Sequence, residues 1–254
     1  MSMSDTLFAR EIGAGGEPAV FLHGFGAGHF VWRDIQPAVA ASRFTIAYDL
    51  PGHGGSLTFA EAGPPKVAAR AVLADLDARG IGRFHLVGHS MGGAIATLIT
   101  AGTPERVASL TVLAPGGYGE TIDAAHLRRY AAADTPEALD AALRGMYAPD
   151  FVLARELVAP YAEAIARPGQ RDKLVEIAAS LFRGERQGVI PYSLRAGLAM
   201  PVKVLWGRGD RILPFSHTEG LPPRMALHAF AGAGHMLVDE CAADVLHLIC
   251  QNMR

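Results

Sequence analysis

Short apolar runs rich in β-branched and aromatic residues alternate along this chain with longer stretches whose apolar positions recur at helical spacing. That alternation predicts parallel strands joined by helices. Ala19-Val20-Phe21-Leu22 is the first strand it predicts, and Phe44-Thr45-Ile46-Ala47-Tyr48 the next. Phe84-His85-Leu86-Val87, residues 107–113, Val202-Lys203-Val204-Leu205-Trp206 and residues 225–230 follow. Helices are predicted over residues 32–41 and 65–79, from Ala94 onward, and over 239–250 as one closing helix. Between about Gly116 and Gly197 the strand signal vanishes and Ala, Leu, Arg and Glu dominate, which predicts a helical insertion within the sheet domain. There, Asp134 or Thr135 before Pro136 and Asp150 before Phe151 read as helix N-caps, and Pro168-Gly169 as a break between helices. The predicted division is 1–115 for the first part of the core, 116–197 for the insertion and 198–254 for the second part.

Composition narrows the function classes. A chain of 254 residues forms a full core without a disulfide or metal staple. Its formal net charge of −2 and the lack of a basic cluster argue against nucleic acid or an anionic membrane as main partner, leaving a small organic substrate as the default. Cys241 and Cys250 read as lying in one helix, roughly 13 Å apart at ~1.5 Å per residue, too far to pair. They are expected to be small core residues in a reducing cytoplasm. Residues 1–11 carry no basic segment followed by an apolar one, and no apolar run is long enough to span a bilayer, so neither a signal peptide nor a membrane span is expected. The sequence assigns no oligomeric state.

In open α/β sheets, reactive groups collect at the carboxyl ends of the strands. Four predicted strand ends carry such groups: His23-Gly24-Phe25-Gly26, Ser90, Asp210 in Gly207-Arg208-Gly209-Asp210, and His235 in Gly232-Ala233-Gly234-His235. Ser90 is the centre of Gly88-His89-Ser90-Met91-Gly92, a G-x-S-x-G pattern between a strand and a helix. The sharp turn needs glycine two residues either side, and it pushes the serine hydroxyl outward. Such a pattern arises by chance in roughly one chain in ten of this length, so the other strand ends must carry the assignment. A serine hydroxyl is a poor nucleophile until a base takes its proton, and an imidazole does this at neutral pH when a carboxylate fixes its tautomer.

With Ser90, Asp210 and His235 in that chain order and the His23-Gly24 turn upstream, the chain resembles the α/β-hydrolases from residue 8 to its end. The resemblance implies a mostly parallel sheet of about seven to eight strands with helices on both faces. It also implies a helical lid after the sixth family strand, here the 116–197 insertion. The short N-terminus is expected to remove the first family strand, leaving about seven. The implied roles are Ser90 as nucleophile, His235 as base and then acid, Asp210 as orienting carboxylate, and the backbone N–H groups of Phe25 and Met91 as the oxyanion hole. His23, Gly24, Tyr118 and Tyr147 are expected at the substrate. No metal and no cofactor are expected: no His, Cys or carboxylate cluster has ligand spacing, and Gly24-Phe25-Gly26-Ala27-Gly28 lacks the dinucleotide spacing.

Rival residues have other readings. His89 adjoins Ser90, but neighbours on a turn point apart, so it reads as structural; His53, with His23, is expected to hold loop backbone near the site. Asp239 and Glu240 read as caps of the last helix. Asp49 opens a turn resembling the family's Asp-x-x-Gly-x-Gly-x-Ser packing segment, and Asp123 has no such context. The other strand end that could supply the acid, Ala114-Pro115-Gly116-Gly117-Tyr118, has no carboxylate before Glu120. Epoxide hydrolases and haloalkane dehalogenases attack with a carboxylate where this chain has Ser90.

Leu113-Ala114-Pro115-Gly116-Gly117-Tyr118-Gly119 and Asp49-Leu50-Pro51-Gly52-His53-Gly54 resemble the catalytic domain of acetoin dehydrogenase acyltransferase components. Those carry a lipoyl domain, which the short segment before His23 is not expected to hold, so hydrolysis is expected rather than acyl transfer to lipoamide. The expected function is cleavage of a carboxylic ester, thioester or lactone through an acyl-enzyme. The alternatives are C–C bond hydrolysis or acyl transfer on the same triad, and a slow-turnover ligand sensor.

Overall fold

The computed structural model describes residues 6–254; the signal-peptide reading of residues 1–11 falls partly on residues 1–5, outside the described residues. A single sheet forms the centre. Its strands are β1 (Ala9–Ile12), β2 (Ala19–Leu22), β3 (Thr45–Tyr48), β4 (Phe84–His89) and β5 (Val107–Leu113), then, after the insertion, β8 (Val202–Gly207) and β9 (Met225–Phe230). The spatial order is β1-β3-β2-β4-β5-β8-β9, with β1 antiparallel to β3 and the other pairs parallel. β2, β3, β4 and β8 are buried along their whole lengths, which is why they read as continuous apolar runs rather than alternating ones. β1 escaped the sequence reading because it is a half-exposed edge strand carrying Arg10 and Glu11, with no apolar run to signal it.

Helices cover both faces. α1 (Ile35–Ala40) and α10 (Ala242–Asn252) pack together on one, while α2 (Pro65–Ala78) and α3 (Met91–Gly102) pack together on the other. α2 buries Ala68, Ala69, Val72 and Leu76 at helical spacing and starts with Pro65 in its first turn, where a missing N–H costs nothing. The closing helix is two helices, α9 (Leu237–Glu240) and α10, separated at Cys241. The cysteines therefore do not share a helix; each is partly buried and free.

Between β5 and β8 the chain forms α4 (Ala124–Ala132), α5 (Pro136–Arg144), α6 (Arg155–Ile165), α7 (Gln170–Leu181) and α8 (Tyr192–Ala196). Thr135 caps α5, accepting from the Ala138 N–H at 3.1 Å. Asp150 caps nothing: it lies in a turn and α6 begins five residues later, after Ala154. A small hairpin, β6 (Phe182–Arg183) and β7 (Arg186–Gln187), interrupts the helices. Its strands are two residues each, too short to register as an apolar run.

Chain order along the sheet fixes where a site can form. From β2 the chain moves outward to β3, then returns to the other side of β2 as β4 and continues to β5. The crevice beyond the carboxyl ends of β2 and β4 is therefore the switch point of the sheet.

Candidate active site

Ser90 stands at that switch point, on the turn from β4 into α3, with φ 54° and ψ −117°. A non-glycine residue in this region is strained and persists only where its surroundings hold it. Here the Ser90 N–H donates to the Leu113 carbonyl at 2.9 Å, and the Ser90 carbonyl accepts from Gly93, Ala94 and Gly116 at 2.9, 3.1 and 2.9 Å. The hydroxyl is thereby held out of the helix and remains partly exposed.

Two further strand ends meet it. Ser90 Oγ lies 3.0 Å from His235 Nε2, and His235 Nδ1 lies 2.8 Å from Asp210 Oδ2. The Asp210 carboxylate fixes the tautomer: Nδ1 carries the proton and Nε2 is left to accept from the serine. Asp210 is itself held by the Ile212 and Leu213 N–H groups, at 2.8 and 2.9 Å, both on Oδ1, so Oδ2 stays turned to the histidine. His235 and Asp210 are buried, which strengthens the pair over its worth in water.

The β2 loop faces Ser90 from the other side, and a Cβ on Gly24 would come within 3.1 Å of Ser90 Cβ. Its backbone is fixed at successive groups. His23 Nδ1–H donates to the Gly24 carbonyl at 2.7 Å, His53 Nε2 accepts from the Gly26 N–H at 3.1 Å, and Tyr130 Oη–H donates to the Gly26 carbonyl at 2.6 Å. Among the described residues, neither the Phe25 N–H nor the Met91 N–H donates to a protein acceptor.

The remaining expected residues occupy other roles. His23 is fully buried and its second nitrogen accepts the Leu50 N–H at 2.9 Å, so neither nitrogen is left for a substrate. Tyr118 is buried with its hydroxyl 3.1 Å from Thr97 Oγ1, and Tyr147 donates its hydroxyl to Asp239 at 2.7 Å while stacking on Phe151. Both tyrosines are packing residues here. His89 donates from Nε2 to the His235 carbonyl at 2.9 Å, the structural role expected of it. Asp49 accepts from His29 and from the Gly55 N–H, which fixes the turn it opens. Asp239 does not cap a helix but pairs with Arg33 at 2.8 Å, and burial pushes its carboxyl up despite Tyr147 and Arg33.

The sequence reading passed over Gln187, the bonding of Glu240 and the contact that Tyr130 makes with the β2 loop. Gln187 reaches from β7 to the Gly117 N–H and the Gly119 carbonyl, at 3.2 and 2.9 Å, beside the carbonyl of the elbow. Tyr130 and Gly26 are 104 positions apart in the chain, and no local pattern announces such a contact. Among the described residues no group of His, Cys, Asp and Glu is arranged to hold a metal ion, and no helix is long and apolar enough to cross a membrane.

Sheet order and the strand–elbow–helix turn at Ser90 together define the α/β-hydrolase fold. The sequence profile of the alpha/beta hydrolase family matches residues 19–248, and the chain belongs to that family. It is 36% identical over 234 residues to the dihydrolipoyllysine-residue acetyltransferase component of the acetoin cleaving system of Pseudomonas putida, covering 92% of this chain. The chain spans 62% of that relative's length. It is 32% identical over 268 residues to the 2-hydroxy-6-oxo-6-phenylhexa-2,4-dienoate hydrolase of Comamonas testosteroni, covering 99% of this chain and 93% of the other. In structure it matches a meta-cleavage product hydrolase from Pseudomonas fluorescens with a TM-score of 0.85 at 22% identity, over 97% of this chain and 93% of the other, a likeness of fold.

Proposed function

We propose that this chain is a serine hydrolase that cleaves a small carboxylic ester, thioester or lactone through an acyl-enzyme on Ser90, with residues 116–197 as the cap over the site. The observation that carries the reading is the relay from Ser90 Oγ to His235 Nε2 at 3.0 Å and from His235 Nδ1 to Asp210 at 2.8 Å. In this mechanism His235 takes the Ser90 proton as the oxygen attacks the acyl carbon, and Asp210 stabilises the imidazolium that forms. The tetrahedral oxyanion is received by the Phe25 and Met91 N–H groups, whose freedom from protein acceptors supports that role. His235 then protonates the leaving group, and a water activated by the same base releases the acid. In this scheme the steps use only groups of the chain itself and water, and the cytoplasm is the location proposed.

Ser90→Ala is expected to lower turnover of a p-nitrophenyl ester by a factor on the order of 10⁴ or more, and Asp210→Asn by about 10⁴, with unchanged melting. Retained turnover in the first variant removes Ser90 as nucleophile, and in the second moves the acid elsewhere. A second reading, C–C bond hydrolysis on the same triad, is supported by the near full-length similarity to the Comamonas testosteroni hydrolase. A panel of esters, thioesters, lactones and 2-hydroxy-6-oxohexa-2,4-dienoates separates the two, the dienoates being cleaved fastest only under the second. Stoichiometric fluorophosphonate labelling without turnover of any panel member favours a sensor.

A further inference from the structure

The segment that carries His235 belongs to no helix or strand, and its backbone polar groups are held from outside. Glu240, at the end of the one-turn helix α9, folds its side chain back over that segment. Its Oε1 accepts from the Met236 N–H at 2.9 Å, and its Oε2 accepts from the Gly234 N–H at 2.8 Å. The same Oε2 accepts from the Ala148 N–H of the insertion at 2.9 Å. The N–H groups of the residues before and after the base and one N–H of the insertion therefore converge on one carboxylate. The His235 N–H completes the seam by donating to the Met146 carbonyl at 2.9 Å. The two segments lie so close that a Cβ on Gly234 would come within 2.6 Å of the Ala148 nitrogen.

Gly234, Met236 and Ala148 are all buried, so without the carboxylate their N–H groups lose their acceptor in a place where water is a poor substitute. An ionised carboxylate accepting several N–H groups is also the stronger and shorter kind of hydrogen bond. With the Met236 N–H on Glu240 and the His235 N–H on the Met146 carbonyl, the two peptide planes that flank the His235 Cα are both fixed, which sets the direction in which its side chain leaves the backbone and hence where Nε2 meets Ser90.

We propose that Glu240 is a positioning residue for the base: it holds His235 in line with Ser90 and makes that alignment depend on the seating of the 146–148 segment of the insertion. The inference rests on the assignment of His235 as base. Glutamine at 240 offers a single acceptor oxygen and brings an amide donor against one of the N–H groups, while alanine removes both oxygens; aspartate keeps the charge but shortens the reach.

The test compares wild type, Glu240→Gln and Glu240→Asp in p-nitrophenyl ester turnover, in the rate of fluorophosphonate labelling of Ser90, and in melting. In Glu240→Gln, kcat and the labelling rate are expected to fall together by about 10- to 100-fold, as for a small misplacement of a reacting group, while KM changes little. The acid limb of the kcat/KM profile is expected to move, which a loss of stability alone does not produce. Glu240→Asp is expected to retain more of the activity than Glu240→Gln. Equal labelling rates and superimposable pH profiles in wild type and variant overturn the positioning role. A wild-type protein that the fluorophosphonate does not label overturns the serine nucleophile itself, and this inference with it. Should the glutamine variant fail to fold, amide hydrogen exchange on the wild-type protein decides: Ala148, Gly234 and Met236 are expected to exchange slowly as one set, and rapid exchange at these positions refutes the seam.

Discussion

At Gly92 the absence of a single carbon lets the elbow and the loop after β2 lie against each other. A Cβ built there collides with the carbonyl oxygen of Leu22 and crowds that of His23, both backbone atoms of the chain leading into Phe25. Because the obstacle is main chain on a central strand, a rotamer change does not relieve it. Gly92→Ala is therefore expected to destabilise the fold by about 1–3 kcal/mol, the range for overpacking a well-filled interior. Urea unfolding measures this as a lower midpoint at constant slope, and an unchanged midpoint would contradict the close approach. Ester turnover is expected to fall further than the loss of folded protein explains, since the displaced carbonyls sit one and two residues before Gly24. The glycines flanking Ser90 were legible in the sequence because their spacing answers a local need; the contact that makes Gly92 indispensable lies across the sheet.

The same division runs through the elements. β5 was legible to the residue as 107–113, and the helix from Pro65 onward ended within a residue of its predicted limit, because buried strands and amphipathic helices write their environment into the pattern of apolar positions. β1 and the β6–β7 hairpin were not, since an exposed edge and a two-residue strand bury too little to leave a pattern. Ser90, Asp210 and His235 were legible because each follows a strand within a glycine-marked turn. The seam at Glu240 was not, its partner Ala148 lying 92 positions away. The hairpin matters to the site nonetheless. Phe182 packs edge-on to Phe25 with ring centroids 6.3 Å apart and carries Arg128 over its ring, while Gln187 ties the hairpin to the loop after β5. Phe182→Ala is expected to open the wall beside the Phe25 N–H. The ratio of p-nitrophenyl octanoate to acetate turnover should rise several-fold, at a stability cost of up to about 3–5 kcal/mol. A ratio that does not move would put Phe182 outside the acyl path.

Taken whole, the molecule encloses a group of histidines around the site that the proposed chemistry does not itself use. Burial lowers His53 to about 4 and His89 to about 3, and lowers His23 as well, where the neighbouring His53 adds to the effect. Each holds backbone next to the proposed machinery in its neutral form: His23 at Gly24, His53 at Gly26, His89 at His235. In the unfolded chain these imidazoles take up protons near pH 6.5, whereas in the folded chain they resist doing so until the pH is well below 5. Between about pH 6.5 and 4 the unfolded state thus binds more protons than the folded one, so stability rises with pH through this window and is lost as pH falls. Melting of the inactive Ser90→Ala protein is expected to drop steadily from pH 7 to pH 4.5. His89→Gln, whose side-chain amide offers an N–H to the His235 carbonyl without an ionisation, is expected to be less stable than its parent at pH 7 but to lose less on acidification. Parallel pH profiles for the two proteins would show that the buried imidazole at 89 does not contribute to the acid sensitivity of the fold.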